Sequence, residues 1–140
     1  MPENTESRAQ ARALIEAYYA AFNAGNGTQF LSMLTDDVAH DVNQGGRDVG
    51  VEAFRSFMER MNLCYEERIH GLEIFVSEDG KRAATEYIVD GVYKTTDSGL
   101  PEARGQRYSV AGGAFFDVRG GKVARVTNYY NLERWLEQVG

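Results

Sequence analysis

The dominant period of the hydrophobic pattern changes midway along this chain, and that change restricts it to one kind of architecture. The helical stripes up to Met61 repeat apolar residues every three or four positions, whereas from Glu66 to Tyr130 they recur every two. A period near 3.6 buries one stripe of a helix, and a period of two buries one face of a strand. Helices that come first and strands that follow, each with an apolar side in need of cover, give an α+β fold with helices on one side of a curved antiparallel sheet. The space under such helices is a cone-shaped interior, a natural place for a ligand.

In the first segment Ala11, Leu14, Ile15, Tyr18, Ala21 and Phe22 share one stripe. Ser7 with Gln10 three positions on supplies a capping-box start and Gly25 a left-handed stop, so a helix is predicted from Ser7 to Ala24. Thr28 can cap a short second helix that turns Phe30, Leu31, Met33 and Leu34 inward. A strand rich in ionisable groups, Asp36 to Asn43, follows and is broken at Gly45-Gly46. Val51, Phe54, Phe57, Met58 and Met61 then trace a third helical stripe.

In the strand half, Leu72, Ile74 and Val76 alternate with polar residues up to the turn at Glu78-Asp79-Gly80. Arg82 to Lys94 carries Tyr87, Val89, Gly91 and Tyr93 on one face and Glu86, Ile88 and Asp90 on the other. A loop from Thr95 to Gly105 leads to a strand from Gln106 to Val118. Gly120-Gly121 turns the chain into Lys122 to Tyr130, and a last helix from Leu132 to Gln138 can lay Trp135 on the sheet.

At 140 residues, with no repeat and no long linker, the chain is read as a single domain, residues 1–140. Its 21 acidic and 15 basic residues leave a net charge of -6, which repels phosphate backbones and anionic lipid heads. Neither nucleic acid nor membrane is therefore expected as a partner. A single cysteine, Cys64, and a polar start from Met1 to Gln10 with no long apolar run fit a cytoplasmic protein. Two histidines without acids at ligand spacing argue against a metal site, and the glycine pairs lack the strand-to-helix setting of a phosphate loop, so no cofactor is expected.

The order of these elements, with Tyr18-Tyr19-Ala20-Ala21-Phe22-Asn23-Ala24-Gly25, Leu34-Thr35-Asp36-Asp37-Val38, Gly99-Leu100-Pro101 and Gly121-Lys122-Val123, resembles the SnoaL-like and ketosteroid isomerase-like families of the nuclear transport factor two superfold. The resemblance runs from about Arg8 to Asn131. It places Tyr18 where ketosteroid isomerases keep the phenol that donates to a developing oxyanion, beside a protonated aspartic acid and an aspartate base. Both acidic positions are lost here: the base position falls on Val42, and the acid position, which is also the catalytic aspartate of SnoaL-type cyclases, falls on Ala114. Loss of an oxyanion donor costs about 100 to 1000-fold and loss of a general base about 100 to 10,000-fold, so ordinary steroid isomerisation is not expected. Homodimerisation through the outer sheet face is implied by the same resemblance.

His40 is the substitute base, two residues before Val42 on the same strand face, with an imidazole that titrates near neutrality. It reads equally as a strand histidine satisfied by a neighbour. Asp41 is the other replacement considered, although alternation turns it away from the cavity unless a bulge re-aims it. Asn43 and Gln44 can present amides at the cavity mouth or simply form a turn. Strand parity from Ala114 adds Val126, Asn128 and Tyr130 to the ligand-binding lining, and Tyr87 and Tyr93 complete it; by resemblance Tyr93 lies near a cavity histidine of SnoaL-type proteins. Tyr19, next to Tyr18 on the helix, is expected to point elsewhere.

Two functions follow. The first is a cofactor-free isomerase, cyclase or lyase in which His40 moves a proton next to a carbonyl of an apolar, steroid-like or polyketide-like molecule while Tyr18, with Asn128 as a second candidate, stabilises the enolate. The second is a non-catalytic module of the same fold that binds a small apolar ligand or serves dimerisation.

Overall fold

A computed structural model describes residues 2–43 and 45–140, with side chains from residue 5 onward. Helix α1 runs over Pro2–Ala24. It begins five residues before the expected Ser7, so Ser7 and Gln10 lie inside the helix and do not cap it. Pro2 costs nothing in a first turn, where its missing N–H would have no partner, and no glycine interrupts the following residues. The helix stops at Gly25, whose φ of +68° is the left-handed conformation glycine adopts without strain. Helix α2, Gly27–Ser32, is capped by Asn26, whose side chain accepts from the Gln29 N–H at 3.1 Å, and not by Thr28.

Strand β1 is Leu34–Asp41, the short β2 is Arg47–Val49, and helix α3 is Val51–Cys64. Then come β3 at Tyr65–Val76, β4 at Arg82–Tyr93, β5 at Arg107–Arg119, β6 at Lys122–Tyr130, and helix α4 at Leu132–Val139. The six strands form one sheet in the order β2-β1-β6-β5-β4-β3. The sheet is mixed, not wholly antiparallel as expected, because β1 lies parallel to β6. A chain that places its first strand beside its last makes that contact over the greatest sequence separation, which no local pattern encodes.

Two irregularities shape the inner face. Asn23 at the end of α1 donates from its amide to the Ile69 carbonyl at 2.9 Å and accepts from the Ile69 N–H at 2.8 Å, which pins the helix to β3. Just beyond Ile69, Gly71 takes a φ of +62° and the pairing of β3 with β4 shifts between His70 and Glu73. This bulge exchanges the faces of the strand. Leu72, Ile74 and Val76 are the half-buried positions after it, but Tyr65, Glu67 and Ile69 are the inward ones before it. The β3–β4 turn rests on α1: a side-chain carbon at Gly80 would stand 2.7 Å from the Ser7 backbone.

The core is one cluster that runs from Ile15, Tyr18 and Phe30 through Val38 and Phe54 to Val110, Phe116 and Trp135. No helix among the described residues is long and apolar enough to cross a membrane.

Candidate active site

Between the helices and the sheet lies a cavity of ≈ 440 Å³, a size suited to a small molecule. Tyr18, Tyr19 and Phe22 of α1 form one wall, with Phe30 of α2 and Phe54, Phe57 and Met58 of α3 beside them. The sheet supplies His40, Val42, Glu67, Tyr87, Tyr108, Val110, Asn128 and Tyr130, and Leu100, Leu132 and Trp135 close the end. A wider and more open cleft of ≈ 1120 Å³ adjoins it at the end of α1 and shares Phe22, Phe30, Tyr65, Glu67 and Tyr108 with it. The cleft contains neither His40 nor Tyr18, which both line the smaller cavity.

His40 follows the alternation of β1, with Val38 and Val42 on the same face. It is 1% exposed, stacks on Phe54 at 4.3 Å between ring centres, and meets the edge of Phe57 at 4.5 Å. Burial among these rings lowers its pKa from the ordinary 6.5, and the charges of Asp48 and Asp41 oppose that shift only in part. The imidazole is therefore neutral at pH 7, able to take a proton. Its Nδ1 is buried without a hydrogen-bond partner among the described residues.

Tyr18 is wedged between Phe30 at 4.5 Å and Phe116 at 5.3 Å, and its hydroxyl makes no hydrogen bond among the described residues. Burial first, and then the neighbouring phenols of Tyr19 and Tyr87, push its pKa well above the usual tyrosine value. It stays protonated and can donate. A chain of ring contacts, Tyr18 to Phe30 to Phe54 to His40, joins the two groups. Tyr19 also faces the cavity, against expectation, and its hydroxyl bonds that of Thr85 at 2.8 Å. A helix lying in the hollow of a bent sheet is covered over more than one stripe, so adjacent residues are both buried.

Val42, Tyr87, Asn128 and Tyr130 line the cavity, with burial holding the Tyr87 phenol up at about 12. Asn43 joins them: its Oδ1 accepts from the Tyr130 N–H at 3.1 Å, and its buried Nδ2 makes no close hydrogen bond among the described residues, although the amide lies near enough to the Tyr130 phenol to offset part of the burial that raises that group's pKa. Gln44 lies outside the described residues. Three of the expected lining residues are packed in the core instead. Tyr93 stacks on Tyr65 at 5.3 Å, donates to the Pro101 carbonyl at 2.6 Å and accepts from the Asp97 N–H at 2.9 Å, so it anchors the 94–106 loop. Ala114 and Val126 are 1% and 0% exposed and do not reach the cavity.

Asp41 does not share the cavity with His40. No bulge re-aims it; it sits on the outer face, where Arg47 binds it through two nitrogens at 2.6 and 3.0 Å and the Thr127 hydroxyl donates at 2.6 Å. Those bonds, the Arg47 ones foremost, hold its carboxyl down at about 2. An ion-paired carboxylate on the far side of the strand cannot act on a ligand inside.

A carboxyl that sequence reasoning passed over does face the cavity. Glu67, Gly91 and Tyr108 stand side by side in register on β3, β4 and β5. Because Gly91 has no side chain, the Tyr108 ring lies flat across β4 and its hydroxyl donates to Glu67 Oε2. Desolvation raises the pKa of Glu67 above the ordinary 4.5 even though the Tyr108 bond works against it. Among the described residues no three His, Cys, Asp or Glu side chains gather in a set that could hold a metal ion.

A bent sheet with helices over its hollow side, and an apolar cavity that carries a few convergent polar groups, defines the nuclear transport factor two-like architecture. Within it the chain belongs to the SnoaL-like family, since the SnoaL-like domain matches residues 15–126. Among solved structures it is similar to a candidate polyketide cyclase from Xanthomonas campestris pv. campestris, with 51% identity over 96% of this chain and 99% of that one and a TM-score of 0.93. A second candidate polyketide cyclase, from Pseudomonas putida KT2440, has 53% identity over 93% and 98% of the two chains and a TM-score of 0.92. A nuclear transport factor two-like protein from Burkholderia xenovorans LB400, at 14% identity over 95% and 98% of the chains and a TM-score of 0.76, shares the fold. No curated protein matches the chain.

Proposed function

We propose that this SnoaL-like protein is a cyclase or isomerase that moves a proton at a carbon next to a carbonyl of a flat, mostly apolar molecule, without a cofactor. The observation that carries this reading is the convergence of a neutral, buried imidazole and an unbonded, protonated phenol on one apolar cavity. His40 takes the α-proton and becomes imidazolium. The enolate oxygen that forms accepts a hydrogen bond from Tyr18, with the spare Asn43 Nδ2–H as a second donor. The similarity to candidate polyketide cyclases at about half identity supports a polyketide-like substrate.

Proton NMR in deuterated water, with a panel of aryl ketones and diketones, tests this directly. Wild-type protein is expected to exchange α-protons, and His40→Gln to slow the exchange by about 100-fold or more. Tyr18→Phe is expected to cost about 100-fold as well. Exchange by His40→Gln within a few-fold of wild type would refute the role of the imidazole and leave ligand binding without chemistry as the function.

The outer sheet face supports a homodimer on the same reading. Phe75, Phe115 and Tyr129 are 60%, 46% and 57% exposed there, with Phe115 and Tyr129 in edge contact at 5.9 Å.

A further inference from the structure

The half-buried Glu67–Tyr108 pair has no part in the proton abstraction described above, yet three features of the sheet converge to assemble it. The bulge at Gly71 sets the parity that turns Glu67 inward. Gly91 leaves the gap across which the phenol reaches. Tyr108 occupies Oε2 alone, and Oε1 has no hydrogen bond among the described residues. The side chain lines both the cavity and the wider cleft that adjoins it.

We propose that Glu67, steadied by Tyr108, is a catalytic acid of this cavity that delivers the proton from Oε1 to a substrate oxygen other than the one held by Tyr18. The assignment rests on the reading of His40 as base. Burial shifts the Glu67 carboxyl toward its uncharged form, the form that can donate a proton, while the Tyr108 bond opposes that shift in part. The Tyr108 hydroxyl fixes the rotamer through Oε2 and leaves the other oxygen to carry the proton.

The step balances without an oxidant or reductant. His40 takes the proton of a C–H bond next to the first carbonyl, and the electron pair of that bond enters the enolate. The enolate carbon forms a bond to the carbon of a second carbonyl in the same molecule, whose π pair moves to its oxygen. That oxygen takes the Glu67 proton and becomes a hydroxyl. The Glu67 carboxylate and the His40 imidazolium are reset by proton exchange with water once product has left.

Glu67→Gln keeps the size of the side chain and its acceptor for Tyr108 but has no proton of the right acidity to give. With diketones that can close a ring, it is expected to slow ring closure by about 100-fold while α-deuterium exchange falls by under about tenfold. Closure within about threefold of wild type, or an equal fall in both steps, overturns the assignment. Absence of α-exchange by wild type, or no effect of His40→Gln, sinks the reading of His40 instead. A second measurement needs no substrate. The infrared difference between wild type and Glu67→Gln at pH 7 is expected to show the carbonyl stretch of a protonated carboxyl, and the symmetric and antisymmetric bands of a carboxylate in its place would overturn the proposal.

Discussion

Gly91→Ala tests the geometry on which the Glu67 site depends. A methyl group there would stand 2.6 Å from Tyr108 Cε2 and closer still to Cζ and the hydroxyl oxygen, where ordinary carbon contacts lie at about 3.5 to 4.0 Å. The ring must retreat by more than about 1 Å, which breaks its bond to Glu67. Overpacking of this kind costs about 1–3 kcal/mol, and loss of the buried hydrogen bond adds about 1–2 kcal/mol. The φ of Gly91 is not positive, so alanine recovers about 0.5–1 kcal/mol of backbone entropy. The net expectation is a loss of about 2–3 kcal/mol, or a fall in Tm of roughly 6–9 °C for a chain of this length. Urea denaturation of Gly91→Ala in two backgrounds isolates the cause. With Tyr108→Val, whose side chain cannot reach across β4, the same substitution should be neutral or slightly stabilising. An equal cost in both backgrounds would show that the ring does not lie over Gly91.

Three further outcomes follow from the structure. The pKa of His40 is lower in the folded chain than in the unfolded one, so the unfolded state binds more protons below about 6.5; its contribution to stability is complete above that pH and is lost as pH falls from about 6.5 through the folded pKa. The stability of wild type relative to His40→Gln, read from urea midpoints, should fall between pH 8 and 5.5, and an NMR titration that places the folded His40 above 6.5 would reverse the sign. Asn23→Ala removes two hydrogen bonds to Ile69 and is expected to cost about 1–3 kcal/mol, read by urea denaturation, with Asn23→Asp recovering only the bond that the carboxylate can accept. Phe115→Glu places a charge in the exposed apolar row of the outer sheet face and should convert a dimer to a monomer in sedimentation at micromolar concentration, whereas wild type that is itself monomeric there would remove the dimer proposal.

The periodic elements were legible because each carries its own signal. Strand β6 begins and ends at the expected Lys122 and Tyr130, and the inner face of β4 carries the expected Tyr87, Val89, Gly91 and Tyr93. Glu67 was not legible, because parity counted back from Leu72, Ile74 and Val76 puts it outside and the bulge at Gly71 reverses that count. The available signal was a glycine in mid-strand between an odd-numbered and an even-numbered apolar set, Tyr65 and Ile69 before it and Leu72 and Ile74 after it. Tyr93, Ala114 and Val126 have the parity expected of the lining but lie where the wall is packed solid, since parity determines the face of a strand and not the depth at which the hollow ends. Asn23 looked like part of a helix stop; its clamp on Ile69 spans a separation that local pattern does not register.

The hollow itself has a physical origin in the pairing of glycine with tyrosine on neighbouring strands. Tyr108 lies against Gly91, and Tyr87 lies against Gly112, where an added carbon would meet the Tyr87 ring at 2.9 Å. In each pair the missing side chain gives an aromatic ring room to lie along the sheet instead of standing up from it. Two rings laid flat keep their apolar bodies in the wall and their hydroxyls at the edge of the cavity. Side chains at 91 and 112 would force both rings upright into the space between α1 and the sheet, and the cavity would shrink by much of their volume. The same arrangement holds the carboxyl that β3 brings to the cavity. A carboxyl out of water needs a donor beside it to hold one oxygen, and the gap at Gly91 lets the Tyr108 hydroxyl reach across β4 to supply it to Glu67.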